Sequence, residues 1–173
     1  MRPAEPARAE LQGQALRGLL IVNQLVVTRL SRALQPTPLT LTYVSVLSHL
    51  RRLPDGASVS QIANALEVNQ PAVSKTLKAL DEMGAVASER DADDARRLHV
   101  RMTPRGRELL GQAEQAMHPA ATAIFRDHSS AELARFVREL EALASTIETP
   151  VAGTVDPLRR SLRVGGVIPV GEP

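Results

Sequence analysis

SQIANALEVNQPAVSKTLKALDEMG, residues 60–84, reads as two short helices joined by a tight turn. Serine and asparagine accept hydrogen bonds from the free N–H groups at a helix start, so Ser60 ahead of QIANAL and Asn69 ahead of QPAVSKTLKAL are the expected N-caps. Pro71 falls in the first turn of the second helix, where the N–H it lacks would have had no partner. Gly84 suits the left-handed residue that closes a helix. Val73, Leu77 and Leu80 recur at i, i+4 and i+7 and mark an inward stripe. At about 100° per residue the opposite side carries Pro71, Ser74, Lys75, Lys78 and Glu82. Lys75 and Lys78 are the only lysines in the chain; every other Lys/Arg position is arginine. One turn apart, their ammonium groups could meet phosphates or guanine edges in a major groove that admits an α-helix. The same pair also fits a solvated helix face. We expect a helix-turn-helix with Ser60, Gln70, Pro71, Ser74, Lys75 and Lys78 on its DNA-binding side.

After Gly84 the period changes. Val86/Ser88/Arg90 and Leu98/Val100/Met102 can alternate sides of two strands, with the polar DADDARR between them, which predicts a β-hairpin. A hairpin directly after a recognition helix is a wing. Arg96 and Arg97 near its tip suit an adjacent minor groove, where narrow A·T-rich stretches attract arginine. Asp94 is expected to orient an arginine by a bidentate pair and not to touch DNA itself. As a calcium loop the segment fails, lacking the glycine at the sixth position and the closing glutamate at the twelfth.

With these residues in view, residues 39–110 resemble the winged helix-turn-helix of the MarR family of bacterial transcription regulators. The resemblance lies in LTLTYVSVL, then SQIANALEVNQPAVSKTLKALDEMGAV, then ERDADDARRLHVRMTPRGRELL. The last is the most specific, R-D-x-x-D-x-R followed by a strand, M-T-P-R-G and a helix. The resemblance implies a homodimer with the first and last helices of each subunit intertwined, bound to a pseudo-palindromic operator. It also implies release by a small ligand, in many members phenolic or anionic. By position it places Pro71, Ser74 and Lys75 at the major groove and Asp94 with Arg96 as the paired residues of the wing. Two departures stand out: Glu67 occupies the helix–helix turn where glycine is common, and the chain has few aromatics with which to line a phenolic pocket.

Composition bounds the rest. A chain of 173 residues with 43% hydrophobic content can form one compact domain or two small ones. Tyr43, Phe125 and Phe136 are its only aromatics, so the core must be aliphatic, and base stacking on aromatic platforms, the mode of single-stranded nucleic-acid binders, is an unsuitable reading. The absence of cysteine removes disulfides and thiolate metal sites. Net charge is only +2, and residues 60–107 hold eight Lys/Arg against seven Asp/Glu, so a basic surface must come from arrangement, not from bulk charge. The longest apolar run, residues 19–27, is interrupted by Asn23 and Gln24 and falls short of the roughly 20 residues of a membrane span. It also makes a poor signal peptide. We expect a cytoplasmic protein with no membrane partner. His49, His99, His118 and His128 never form an i, i+4 pair, although His118 and Glu114 share a helical face; no metal and no cofactor are expected. No activated nucleophile, phosphate loop or paired acid and base stands out, so an enzyme is not the expected reading.

On the N-terminal side, residues 1–9 read as a loose arm. Residues 10–34 form a long helix, apolar along Leu16, Leu20, Val27, Leu30 and Leu34 and widened by Leu19, Ile21, Val22 and Val26. A helix apolar nearly all round must be buried from several directions. A second subunit is the simplest source of that burial, with an internal core helix as the alternative. Thr40 can cap a helix running to about His49 or Arg52 with Leu41, Val44 and Leu47 inward; LPDG is a turn, and Ser58-Val59 can add one short strand.

On the C-terminal side, Thr103 can cap and Pro104 open a helix facing inward through Leu109, Leu110, Ala113, Ala116 and Met117, with a kink or break expected at Pro119. Ser129-x-x-Glu132 is a capping box for a last helix with Leu133, Phe136, Val137, Leu140, Leu143 and Ile147 as its inward stripe. The Pro, Gly and Val content of residues 149–173 suits a flexible tail; its Arg159, Arg160 and Arg163 leave a clasp or phosphate contact open.

The fold class expected is mainly α with a small β-wing. The winged helix-turn-helix spans 37–102, flanked by dimerisation helices at 10–36 and 103–148, an arm at 1–9 and a tail at 149–173. The function expected is that of a sequence-specific regulator of transcription, a homodimeric repressor on a double-stranded DNA operator, released by a small-molecule effector at a pocket that Tyr43 would help line. A winged-helix protein-interaction module and a constitutive DNA-binding dimer without effector are the alternatives.

Overall fold

The computed structural model describes residues 7–90 and 98–147. Six helices and three strands follow in the order α1 Arg8–Ala33, α2 Leu41–Arg51, β1 Ala57–Ser58, α3 Val59–Ala65, α4 Gln70–Glu82, β2 Val86–Arg90, β3 Leu98–Met102, α5 Pro104–Phe125 and α6 Ser130–Ile147. This is the mainly helical chain with a small hairpin that the sequence leads one to expect.

Local chemistry explains most boundaries. The Thr40 hydroxyl accepts from the Tyr43 N–H to start α2, and Thr103 accepts from the Gly106 N–H to start α5. Before α6 the reciprocal box forms: the Ser129 N–H reaches Glu132 Oε2 at 2.8 Å, and the Glu132 N–H reaches Ser129 Oγ at 3.3 Å. The serine hydroxyl also donates to this carboxylate, and these hydrogen bonds hold Glu132 below the usual carboxylate range. α1 begins at Arg8, inside the expected arm, whose first six residues lie outside the described region. At Pro119 no break occurs; α5 continues through it to Phe125.

The sheet is antiparallel in the order β1-β3-β2. β3 lies in the middle, pairing Val100 with Ala57 on one side and with Ser88 on the other. The short strand thus comes one residue earlier than expected, at Ala57–Ser58.

The core lies under this sheet and between α2, α3, α4 and α5. Leu47, Leu50, Ile62, Leu80 and Leu110 are its largest fully buried side chains, and no aromatic residue is among the buried ones. On α2 the buried face runs through Val46, Leu47 and Leu50, while Leu41 and Val44 lie at its margin. Arg51 of α2 pairs with Glu114 of α5 at 2.7 Å beside this core.

The two outer helices behave differently. Neither α1 nor α6 has a fully buried residue. Leu20 is 61% exposed and Leu16 60%; on α6, the stripe expected to face inward leaves Phe136, Val137, Leu143 and Ile147 exposed. Leu30, Ala33 and Leu34 tie the end of α1 to the core, so the helix is anchored at one end and bare along the rest. The described residues therefore do not supply the burial that the pattern of α1 demands. Among the described residues no helix is long and apolar enough to cross a membrane.

Candidate nucleic-acid interface

The candidate interface begins with α3. Its N-cap is Ser58 and not Ser60: the Gln61 N–H donates to Ser58 Oγ at 3.2 Å, and the Ser58 N–H donates to Gln61 Oε1 at 2.8 Å. The signal was present in the sequence, because Ser58 has glutamine three residues on and Ser60 has alanine. Ser60 is an exposed residue in the first turn of α3, its hydroxyl 3.0 Å from that of Ser58.

α3 ends in a Schellman turn. The Val68 N–H bonds the Ala63 carbonyl at 3.0 Å and the Glu67 N–H bonds that of Asn64 at 3.3 Å. This geometry requires a left-handed residue, and Glu67 supplies it at φ 52°, the only non-glycine positive φ among the described residues. That is the physical reason a glycine would suit the position.

α4 is held at both ends. Asn69 Oδ1 accepts from the Ala72 N–H at 2.9 Å, and Pro71 fills the first turn. At the far end Gly84, at φ 67°, allows the Gly84 N–H to reach Asp81 O and the Ala85 N–H to reach Leu80 O, both at 2.8 Å. Between these ends Val73, Thr76, Leu77 and Leu80 are buried. Gln70, Pro71, Ser74, Lys75 and Lys78 are exposed together on the other side. Neither lysine forms an ion pair with a carboxylate among the described residues. The arrangement leaves two cations and several hydrogen-bonding groups on a convex, rigidly anchored helix face, which is the form a major groove can admit.

The hairpin is braced at its base. Arg101 Nε donates to the Asp55 carbonyl at 2.9 Å, and its guanidinium lies 3.5 Å from Glu89. The His99 ring bonds the same Asp55 carbonyl. Gly56, at φ 89°, lets the LPDG turn approach this strand, since a Cβ there would lie 2.6 Å from Val100 O. The sequence reading missed Arg101 and His99 as braces because their partner, a turn carbonyl, is more than forty residues away. Asp94, Arg96 and Arg97, the expected wing-tip residues, lie outside the described residues.

The exit from the hairpin explains M-T-P-R-G. A Cβ on Gly106 would lie 2.1 Å from the Ala85 carbonyl oxygen, so only glycine lets α5 pack this closely against the residue that follows α4. Tyr43 is half-buried on α2 and packs against the core.

Against known proteins, a model of the MarR family matches residues 37–97, which run from just before α2 to the residue before β3. Over this segment, about a third of the chain, the sequence is similar to the MarR family. Solved structures agree in fold. The transcriptional regulator BldR from Sulfolobus solfataricus matches at TM-score 0.72 and 21% identity, over 82% of this chain and 100% of that one. A mutant MarR from E. coli complexed with operator DNA matches at TM-score 0.67 and 21% identity, over 84% and 100%. CouR from Rhodococcus jostii RHA1, bound to p-coumaroyl-CoA, matches at TM-score 0.65 and 23% identity, over 78% and 92%. The matched segment holds α2 to β2, and the likeness in fold to these solved structures extends over the flanking helices as well.

Proposed function

We propose that this chain is a MarR-family transcription regulator, a homodimeric repressor acting on a pseudo-palindromic operator with α4 of each subunit in a major groove. The observation that carries the reading is the division of α4 into two faces: Val73, Leu77 and Leu80 in the core, and Ser74, Lys75 and Lys78 outward and unpaired among the described residues. Gln70, Pro71 and Ser60 flank that outward face. Residues 37–102 form the DNA-binding unit; residues 10–36 and 103–148 form the dimer body.

The dimer is supported by α1 and α6. Each exposes an apolar face that the described residues leave bare, and a two-fold partner offers the same faces in return. Such a dimer would set two recognition helices about one DNA turn apart, while Arg96 and Arg97, oriented by Asp94, reach the flanking minor grooves. Support for operator binding and for an effector comes from the relatives. One MarR is complexed with operator DNA, and CouR is bound to p-coumaroyl-CoA. An effector here would act by binding more tightly to a dimer with splayed recognition helices, from a pocket between the wing domain and the dimer helices that Tyr43 helps to line.

Two measurements test this. Sedimentation of the full chain should give the mass of a dimer. Lys75→Ala should weaken duplex binding, with relaxed base preference if Lys75 reads bases or a salt dependence flattened on all sequences if it touches phosphate alone. A monomeric chain, or unchanged affinity in the variant, would contradict the dimer or the docking face respectively.

A further inference from the structure

Lys75 and Lys78 are the only lysines in a sequence otherwise supplied with arginine. Both are exposed on α4, one turn apart, and neither is engaged by a carboxylate among the described residues. The two kinds of base differ chemically. A guanidinium stays protonated and delocalised and is not an acyl acceptor, whereas an ammonium exchanges with a free amine whose lone pair attacks activated acyl carbon. Amine-directed chemistry on this chain therefore has two side-chain targets, and both lie on the face assigned to DNA.

The electrostatic consequence is large for so small a change. On α4 two lysines balance two carboxylates, the exposed Asp81 and Glu82. Acylation at both lysines leaves a net negative helix facing a polyanion.

We propose that Lys75 and Lys78 form an acyl-acceptor site through which activated acyl groups, carried as acyl thioesters or acyl phosphates, switch off DNA binding. This rests on the reading of α4 as the DNA-binding helix. The amine nitrogen attacks the acyl carbon, and an N–C bond forms. The bond from that carbon to sulfur or to the phosphate oxygen breaks, its electron pair leaves with the thiolate or phosphate, and the amine proton passes to solvent. The amide product is neutral and keeps one N–H donor where the ammonium had three.

The test uses the full chain and a duplex that the untreated chain binds. Acetyl phosphate in one arm and acetyl-CoA in the other serve as donors; adducts are mapped by mass spectrometry, and affinity is measured before and after. The expected result is acetylation at Lys75 and Lys78, affinity lowered roughly tenfold or more, and a salt dependence flattened by roughly 0.9 for each lysine that touches phosphate. Reaction in one arm only identifies the donor class. Chain treated while bound to the duplex and then released should keep both lysines and its affinity. In Lys75→Arg/Lys78→Arg the affinity of the variant, whatever its value, should be the same before and after treatment. Unchanged affinity with both lysines acetylated, an equal loss in the arginine variant, or no adduct in either arm would overturn the proposal. A chain that binds no duplex before treatment fails the DNA-binding reading itself, and the acyl switch falls with it.

Discussion

The Thr103 hydroxyl donates a 2.6 Å hydrogen bond to the carbonyl oxygen of Gly84 and accepts one of 3.0 Å from the Gly106 N–H. One side chain thus caps the start of α5 and satisfies the residue that ends α4. The Thr103 N–H adds a 3.1 Å bond to Ala85 O. α4, the proposed recognition helix, and α5, part of the proposed dimer body, meet at this joint, which is tied by the two bonds from Thr103 to Gly84 O and Ala85 O and by the close packing of Gly106.

Thr103→Val removes the hydroxyl and keeps the shape. The loss of a cap and of a hydrogen bond to a carbonyl should cost about 1–3 kcal/mol of stability, read as a lowered denaturant midpoint at unchanged slope. Thr103→Ser, which retains the hydroxyl, should recover most of it. No loss in Thr103→Val would show that the hydrogen bonds do not matter, and an equal loss in Thr103→Ser would show that the methyl group contributes as much as the hydroxyl.

Glu67→Gly should stabilise the chain. The left-handed conformation costs a non-glycine residue about 1–2 kcal/mol, while the extra freedom of glycine in the unfolded chain takes back up to about 1 kcal/mol. A net gain of about 0.5–1 kcal/mol in chemical unfolding is expected. A loss on substitution would show that the Glu67 side chain makes a compensating interaction.

His49 gives the fold a pH dependence. It is 7% exposed, and burial, aided by the nearby Arg52 charge, pushes its pKa below the ordinary 6.5. The unfolded chain therefore takes up a proton at His49 before the folded chain does. Its contribution leaves stability untouched above pH 6.5 and erodes it as pH falls below that value, until the folded-state pKa is also passed. In His49→Gln the loss of stability between about pH 7.5 and about pH 5 should be smaller than in the parent chain. An identical loss in both would place the acid sensitivity elsewhere.

Leu20→Glu separates a monomer from a dimer. In an isolated chain this side chain is 61% exposed and the change should be within about 0.5 kcal/mol of neutral. If α1 is buried against a partner, the same substitution puts a charge into an apolar interface and should shift the chain to monomer at concentrations where the parent is dimeric. Unaltered mass in solution would show that this part of α1 is not an interface.

How far the sequence could be read depends on how local each signal is. Asn69, Gly84, Thr103 and the Ser129/Glu132 box were legible because a cap is decided within three or four residues. Ser60 was mistaken for a cap because a serine before a helical pattern was weighed without the glutamine partner of Ser58. The two strands of the hairpin followed from period-two alternation, but its brace through Asp55 and Arg101 joins segments far apart in sequence, and no local pattern marks it. The outer helices show a different limit. Amphipathicity tells which face of α6 is apolar and not what covers it, so its stripe was expected inward and is bare in the chain. At Pro119 an isolated-helix cost predicted a kink or a break, and α5 does not break there but runs on to Phe125.

The most direct test of a dimeric major-groove reader is selection of bound duplexes from a random pool at two salt concentrations, with the oligomeric state of the complex recorded. Two chains on an enriched inverted repeat, half-sites about 10 bp apart and the same motif at both salts, is the predicted result. A complex with one chain, no enriched repeat, or binding that is sequence-independent and vanishes as salt rises would contradict it and direct attention to protein partners of the same α4 face.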